Sequence, residues 1–258
     1  MHTAGMRMRI SLLAGCVMLM AGPAFVRAEP TPVRFSEGAA QRSLVLRSPD
    51  GKILANGNLV QTVTAGRVTS QVVFRFTDGS VHDETAVFSQ SGVFRLLSYH
   101  LVQNGPSFRR TLDMTMDTQT GRVIVRHKDR DGDEGVEDET LALPSDVVNG
   151  MVPTILKNLG AKAAATASFV AATPGIRLVK LSFSTGPEAA ATTGSGQHAT
   201  HYIVKAVIGG VAGLVAPLVG KQPPDTHVWI LENDPPSFVR SQGPLYYGGP
   251  LWQVEVAK

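Results

Sequence analysis

The sequence predicts a mainly β protein: a curved antiparallel sheet, an open barrel or half-barrel, wrapped around one α-helix near 145–159. Three observations predict it. Turn signals recur at hairpin spacing from Ser43 to Leu143; the segments between them alternate apolar and polar residues; and one stretch, Pro144 to Gly160, switches to helical spacing. A β-sandwich is the alternative arrangement of the same strands.

The turns are marked by Pro49-Asp50-Gly51, Ala65-Gly66, Asp78-Gly79, Ser91-Gly92, Asn104-Gly105-Pro106, Thr120-Gly121 and Asp131-Gly132. Between them, Val68, Val72, Phe74 and Phe76 share one face of a strand whose other face carries Thr69, Gln71, Arg75 and Thr77. Leu112, Met114 and Met116 likewise oppose Thr111, Asp113 and Thr115. Such strands belong to a sheet with one dry face. Val93 to Val102 is apolar on both faces and is expected to be central or covered twice. Asn56-Gly57 reads either as a hairpin turn or as a glycine inside a long strand.

In the helical stretch, Val147, Val148, Met151, Ile155, Leu156 and Leu159 form one apolar stripe, with Ser145 as the expected N-cap and Gly160 just past the end. The stripe is expected to pack on the dry face of the sheet. Strand patterns resume at Ala167–Ala172, Ile176–Ser184, Thr200–Ile208, Thr226–Glu232, Ser237–Gln242 and Leu251–Val256. The tract Gly186–Gly196 is small and polar, as in a loop.

Residues 1–28 read as a signal peptide, leaving 29–258 as a single β-rich domain. Arg7 and Arg9 precede an apolar run that ends in Val26-Arg27-Ala28, a small-residue cleavage pattern. A competing pattern, Leu13-Ala14-Gly15-Cys16, has the form of a lipobox and would tether the chain through Cys16. Either reading addresses the protein to the bacterial periplasm or beyond. Cleavage also removes three of the 24 basic side chains and none of the 21 acidic ones. The remainder is formally neutral, which removes bulk charge as a reason to bind nucleic acid. Cys16 is the one cysteine, so the domain is expected to hold no disulfide and no thiol chemistry.

The stretch Gly209 to Gly220, GGVAGLVAPLVG, carries no charge. It is too short to span a bilayer. It does not match the phosphate-binding loop either, because the spacing of Gly213 and Gly220 is wrong and Gln222 follows Lys221 where Ser or Thr is needed. Leu214, Val215 and Leu218 are left either to cover the mouth of a barrel or to project outward.

Other chemistry-bearing patterns are weak. Asp129-Arg130-Asp131-Gly132-Asp133 alternates carboxylates, yet its glycine and its twelfth position are wrong for a calcium loop, and it reads as an acidic hairpin tip. His198 and His201 point to opposite faces of a strand and make a poor metal clamp. His201 and His227 approach each other if their strands pair, with Asp225 nearby, and this trio is the candidate for a hydrolase. Gly194-Ser195-Gly196 lacks the nucleophile-elbow spacing. No catalytic set, metal site or cofactor is therefore predicted.

The last third carries a distinctive order: His201-Tyr202-Ile203-Val204-Lys205, then Thr226-His227-Val228-Trp229-Ile230, then Asp234-Pro235-Pro236-Ser237-Phe238-Val239-Arg240, and finally Leu251-Trp252-Gln253-Val254-Glu255-Val256. Over residues 150–256 it resembles an uncharacterised family of secreted bacterial proteins classed as a domain of unknown function, half-barrels similar in architecture to periplasmic lipoprotein carriers. The resemblance implies an apolar cavity between sheet and helix and transfers no catalytic residue. The leading expectation is a non-catalytic exported protein that holds a lipid or other apolar ligand, with Leu214, Val215 and Leu218 at the mouth and Trp229, Trp252, Met114 and Met116 in the wall. The second is a structural or interaction module of the envelope that docks on a membrane surface or a partner protein through 209–220. The hydrolase at His201, Asp225 and His227 is the third.

Overall fold

The computed structural model describes residues 29–160, 164–173, 175–186, 191–192, 198–207 and 223–257. Its first eight strands form an unbroken meander: β1 (Ala40–Arg47), β2 (Ile53–Thr64), β3 (Arg67–Phe76), β4 (Val81–Ser91), β5 (Val93–Asn104), β6 (Arg110–Asp117), β7 (Arg122–Asp129) and β8 (Glu134–Thr140). The helix α1 (Val152–Leu159) follows. After it come β9 (Ala165–Thr173), β10 (Gly175–Thr185), the short β11 (Ala191–Thr192), β12 (His198–Val207), β13 (Thr226–Leu231), β14 (Ser237–Gly243) and β15 (Trp252–Val256).

All these strands join one antiparallel sheet in the order β8-β7-β6-β5-β4-β3-β2-β1-β15-β14-β13-β12-β10-β9, with β11 beside β12. One curved, unclosed sheet replaces the two layers of a sandwich, so that alternative does not hold. The two meanders meet where β1 pairs with β15, Val45 opposite Glu255. Because hairpin connections alternate between ends, the sheet has two rims. The turn at Gly92 and the β13–β14 turn lie on the helix rim. The β5–β6, β7–β8 and β14–β15 turns lie on the far rim, the end from which β12 leaves and β13 returns.

The helix is shorter than its apolar stripe predicts. It starts at Val152 rather than Ser145, with Pro153 in its first turn and no side-chain cap, a place where proline's missing N–H costs nothing. The preceding residues are drawn into the sheet instead. Ser168 N donates to Asp146 O at 3.0 Å and Val148 N to Ser168 O at 2.9 Å, a parallel bridge between Val147 and Ser168. The Asn149 side chain donates to Val170 O and accepts from Val170 N. Gly150, at φ +69°, turns the chain beneath Ala86 and Tyr99. These contacts satisfy the otherwise open edge of β9, the kind of edge that templates aggregation when left bare. Arg110 reaches across the same seam from β6, donating to Ala172 O (3.4 Å) and Thr173 O (3.0 Å).

The interior is filled in two parts. Val147, Val148, Met151, Ile155 and Leu156 pack with Phe88, Phe94, Met114, Met116, Val228 and Ile230 toward the helix rim. Leu44, Leu46, Phe74, Phe76, Phe108 and Trp252 form the second cluster, with Leu245 and Tyr246 packed on it. Burying each large apolar side chain contributes about 1.5–3 kcal/mol. A strap from residues 31–37 holds the helix. Phe94 N donates to Thr31 O, Val33 N to Gly92 O, and the buried Asn158 Oδ1 accepts from Arg34 N and Phe35 N, both at 2.8 Å. Glu37 accepts from Thr154 Oγ1 at 2.8 Å and pairs with Lys157.

Gly57 lies inside β2 and is no hairpin turn. The ring of Phe74 occupies the place of its missing side chain, since a Cβ there would stand 2.4 Å from Phe74 Cε1. The remaining predicted strands are present, with boundaries moved by a few residues.

Candidate functional site

The four described residues expected to wall a cavity do not converge. Met114 and Met116 lie in the cluster that packs around α1. Trp252 belongs to the second cluster, packed at a tilt against Phe76 at 5.3 Å and edge to face with Tyr246 at 6.0 Å. Trp229 faces the opposite side of the sheet, because its neighbours Val228 and Ile230 point inward. Leu214, Val215 and Leu218 lie outside the described residues, as do Cys16 and the rest of the leader expected at residues 1–28. The space expected between helix and sheet is occupied by packed side chains.

The outer face of β12–β14 carries a cross-strand ladder. His201, Trp229 and Arg240 are direct partners in register, and Glu255 on β15 follows Arg240. The imidazole of His201 lies 4.6 Å from the indole of Trp229 at 6° between planes. The guanidinium of Arg240 covers the indole at 3.9 Å, a cation–π contact worth about 0.5–2 kcal/mol. Glu255 then pairs with Arg47 on β1 at 3.4 Å. His201 Nε2 and His227 Nδ1 share a hydrogen bond of 2.8 Å. His201 and Trp229 are 7 % and 8 % exposed, so no ligand ring can stack on them as they stand.

The hydrolase trio is only partly assembled. His201 and His227 meet as the strand pairing predicts, but Asp225 pairs with Lys205 at 3.2 Å instead. The imidazoles therefore hydrogen-bond each other and stack on Trp229, with no carboxylate of the trio orienting them in the way a general base requires. No cluster of three or more potential metal ligands occurs among the described residues. The acidic tip at Asp129–Asp133 is a hairpin turn closed by Asp129 N to Asp133 O at 2.8 Å.

Two polar features escaped the sequence reading. Inside the barrel, His82 Nδ1 accepts from Gln103 Nε2 at 3.1 Å, and the same amide donates to Leu245 O at 2.9 Å. Burial pushes the imidazole of His82 below its ordinary value of 6.5, against the opposing pull of Glu84 and Asp83. Gln103, held in place by this imidazole, ties the β14–β15 connection to the barrel wall. A phenol behaves in the corresponding way: burial raises Tyr99 well above its ordinary value, and its hydroxyl donates to Glu84 at 2.8 Å.

The second feature is a crevice of about 260 Å³ on the far rim, lined by Phe108, Arg109, Arg110, Asp129, Tyr246 and Tyr247 among others. Its wall is built by the β5–β6 turn. Ser107 Oγ donates to Asp78 Oδ2 at 2.7 Å and Ser107 N to Ser80 Oγ at 2.8 Å. Burial works against the Asp78 charge, but hydrogen bonds from Ser107 and Ser80 prevail and hold its carboxyl below the usual range. Arg130 buttresses the same turn through Pro106 O at 2.8 Å. The sequence did carry a sign of this site: Arg109 and Tyr247 set a cation and an aromatic in turn segments, and both are exposed where packing has no need of them. A larger open hollow of about 570 Å³ lies on the outer face of β4–β7, beside His100 and Arg122.

No protein-family model matches this chain, and neither does any curated protein. Among solved structures it is similar to a beta-barrel-like protein of domain of unknown function DUF1849 from Brucella abortus, with a TM-score of 0.47 and 10% sequence identity over 87% of this chain and 98% of that one.

Proposed function

We propose that this chain is a non-catalytic structural or interaction module of the bacterial envelope, exported by its leader, that acts through its surface and docks on a membrane through the apolar 209–220 segment. The observation that carries the reading is the filled interior. A lipid carrier needs space between helix and sheet, and Met151, Ile155 and Leu156 occupy it together with Met114 and Met116. Binding chemistry then belongs outside the barrel.

The 209–220 segment supplies apolar side chains without charge. Its two flanking strands, β12 and β13, are paired neighbours, and Lys205 and Asp225 form an ion pair at their ends. Val207, the last residue of β12, is itself 47% exposed. An apolar segment anchored at both ends on one rim is suited to shallow insertion into a lipid surface.

The test is co-sedimentation of the chain from residue 29 with vesicles of phosphatidylethanolamine and phosphatidylglycerol. The intact chain is expected in the pellet; a variant lacking 210–219 stays in the supernatant with its melting temperature unchanged. An intact chain that stays in the supernatant overturns the proposal. Lipid retained by the deletion variant in native mass spectrometry would favour the carrier instead.

A further inference from the structure

We propose that the far-rim crevice is a binding site for a small organic anion with a flat apolar body, and that Arg109 recognises the charge. The proposal does not rest on the docking segment and goes beyond the reading above.

Three guanidinium groups surround the crevice, and two are committed to the fold. Arg110 donates to Ala172 O and Thr173 O and stands opposite Asp129 in the β6–β7 ladder. Arg130 donates to Pro106 O and Phe108 O. Arg109 makes no hydrogen bond or ion pair with any described residue, although it lines the crevice. Its guanidinium lies against Gly248, with Nη1 3.3 Å from where a Cβ would stand. It also lies close enough to Tyr246 to act on the phenol. Burial raises Tyr246, and the positive charges of Arg109 and Arg130 pull the other way.

The remaining surface is aromatic. Phe108 and Tyr246 pack edge to face at 5.5 Å, and Tyr247, 52% exposed, forms part of the lip. Phe108 is fixed from behind by Phe76 and Trp252. Phe108 is itself buried and braces Tyr246 from behind, so Tyr246 and Tyr247 are the aromatic surface that a flat ligand meets. The charges sort the ligand's polarity. Asp129 offsets one of the two cations that line the site, which leaves the Arg109 charge to select an anion. A guanidinium presents paired donors to a carboxylate, phosphate or sulfonate group alike. The shared chemistry is a single oxyanion on a ring-sized apolar body, and a crevice of about 260 Å³ fits one such molecule.

The experiment uses 2-naphthoate and its uncharged counterpart 2-naphthamide on the chain from residue 29, read by chemical-shift changes. Naphthoate is expected to shift Arg109 Nε, Tyr246 and Tyr247 saturably, and naphthamide to bind more weakly by about tenfold, the value of one charge-assisted hydrogen-bonding pair. R109Q is expected to lose that preference, so that both probes bind equally. R42Q, an exposed arginine on β1, is expected to leave it intact, and both variants to melt with the parent. Equal binding of the two probes by the parent, an equal loss in R42Q, or no shift at these residues overturns the proposal. So does a shift of the same residues by dihexanoyl-phosphatidylglycerol without one by naphthoate, which would identify a lipid headgroup as the occupant.

Discussion

Asn149 takes the place of a strand beside Val170: its Nδ2 donates to Val170 O at 2.8 Å and its Oδ1 accepts from Val170 N at 2.9 Å. One side chain thereby reproduces a complete backbone pair on the free edge of β9. Asn149 is 1 % exposed, so its loss leaves a donor and an acceptor buried together. Asn149→Ala is expected to destabilise the fold by about 2–4 kcal/mol, measured by urea unfolding. Asn149→Asp keeps an acceptor and loses the donor, and is expected to be at least as harmful. A loss below about 0.5 kcal/mol in both variants would show that the edge does not depend on this residue.

Gly57 and Phe74 form a second matched pair. Gly57→Ala drives a methyl into the Phe74 ring, and overpacking of this kind costs about 1–3 kcal/mol. Phe74→Leu alone leaves a void in the second cluster. The double variant is expected to lose less stability than the sum of the two single losses, because each change relieves the other. Strict additivity in chemical denaturation would refute the steric account.

The buried imidazole of His82 predicts acid sensitivity. Its pKa is lowered in the folded state, so the unfolded chain takes up the proton first, and stability rises with pH across that window. The melting temperature is therefore expected to fall as pH drops below about 6.5, with a slope of at most about 1.4 kcal/mol per pH unit. His82→Gln removes this dependence. Asp78, held low by its hydrogen bonds, contributes a separate loss only below the ordinary carboxylate range. A pH profile unchanged by His82→Gln would exclude His82 as its source.

The indole of Trp229 reports on its ladder. In a Trp252→Phe background it is the remaining tryptophan, buried between His201 and Arg240. Arg240→Ala is expected to shift its emission to the red and to lower stability by about 0.5–2 kcal/mol. Emission that does not move would mean that the guanidinium does not cover the ring in solution.

Hydrolysis provides a further check. With Asp225 held by Lys205, a His201→Ala, His227→Ala double variant is expected to show the same turnover as the parent across a panel of esters and phosphoesters. Activity that disappears with the imidazoles would restore the hydrolase reading.

The strands were legible because each one writes its buried face locally: Leu112, Met114 and Met116 alternate with polar residues and are all buried. The turns were legible through their glycines. The helix start was obscured because Val147, Val148 and Met151 are apolar for a different reason, since they seal a sheet seam rather than line a helix. Asn149-Gly150 and Pro153 were the local signs against an early start. The Arg240–Trp229–His201 ladder and the Arg109 crevice depend on register between segments far apart in sequence, which alternation within one strand cannot supply. The packing of the interior, where the carrier resemblance implies a cavity, was illegible for a related reason. Periodicity tells which side chains point inward, but it does not tell whether they fill the volume they enclose.

The pairing of β1 with β15 has a consequence in time. Val45 finds Glu255 more than two hundred residues away, and until Trp252–Val256 is in place the sheet consists of two separate meanders, β1 to β8 and β9 to β14. The strand that joins them, β15, is made after the other fourteen. A chain of this design cannot complete its hydrogen-bonded wall until β15 has been synthesised, and its two meanders wait for that strand before they can join.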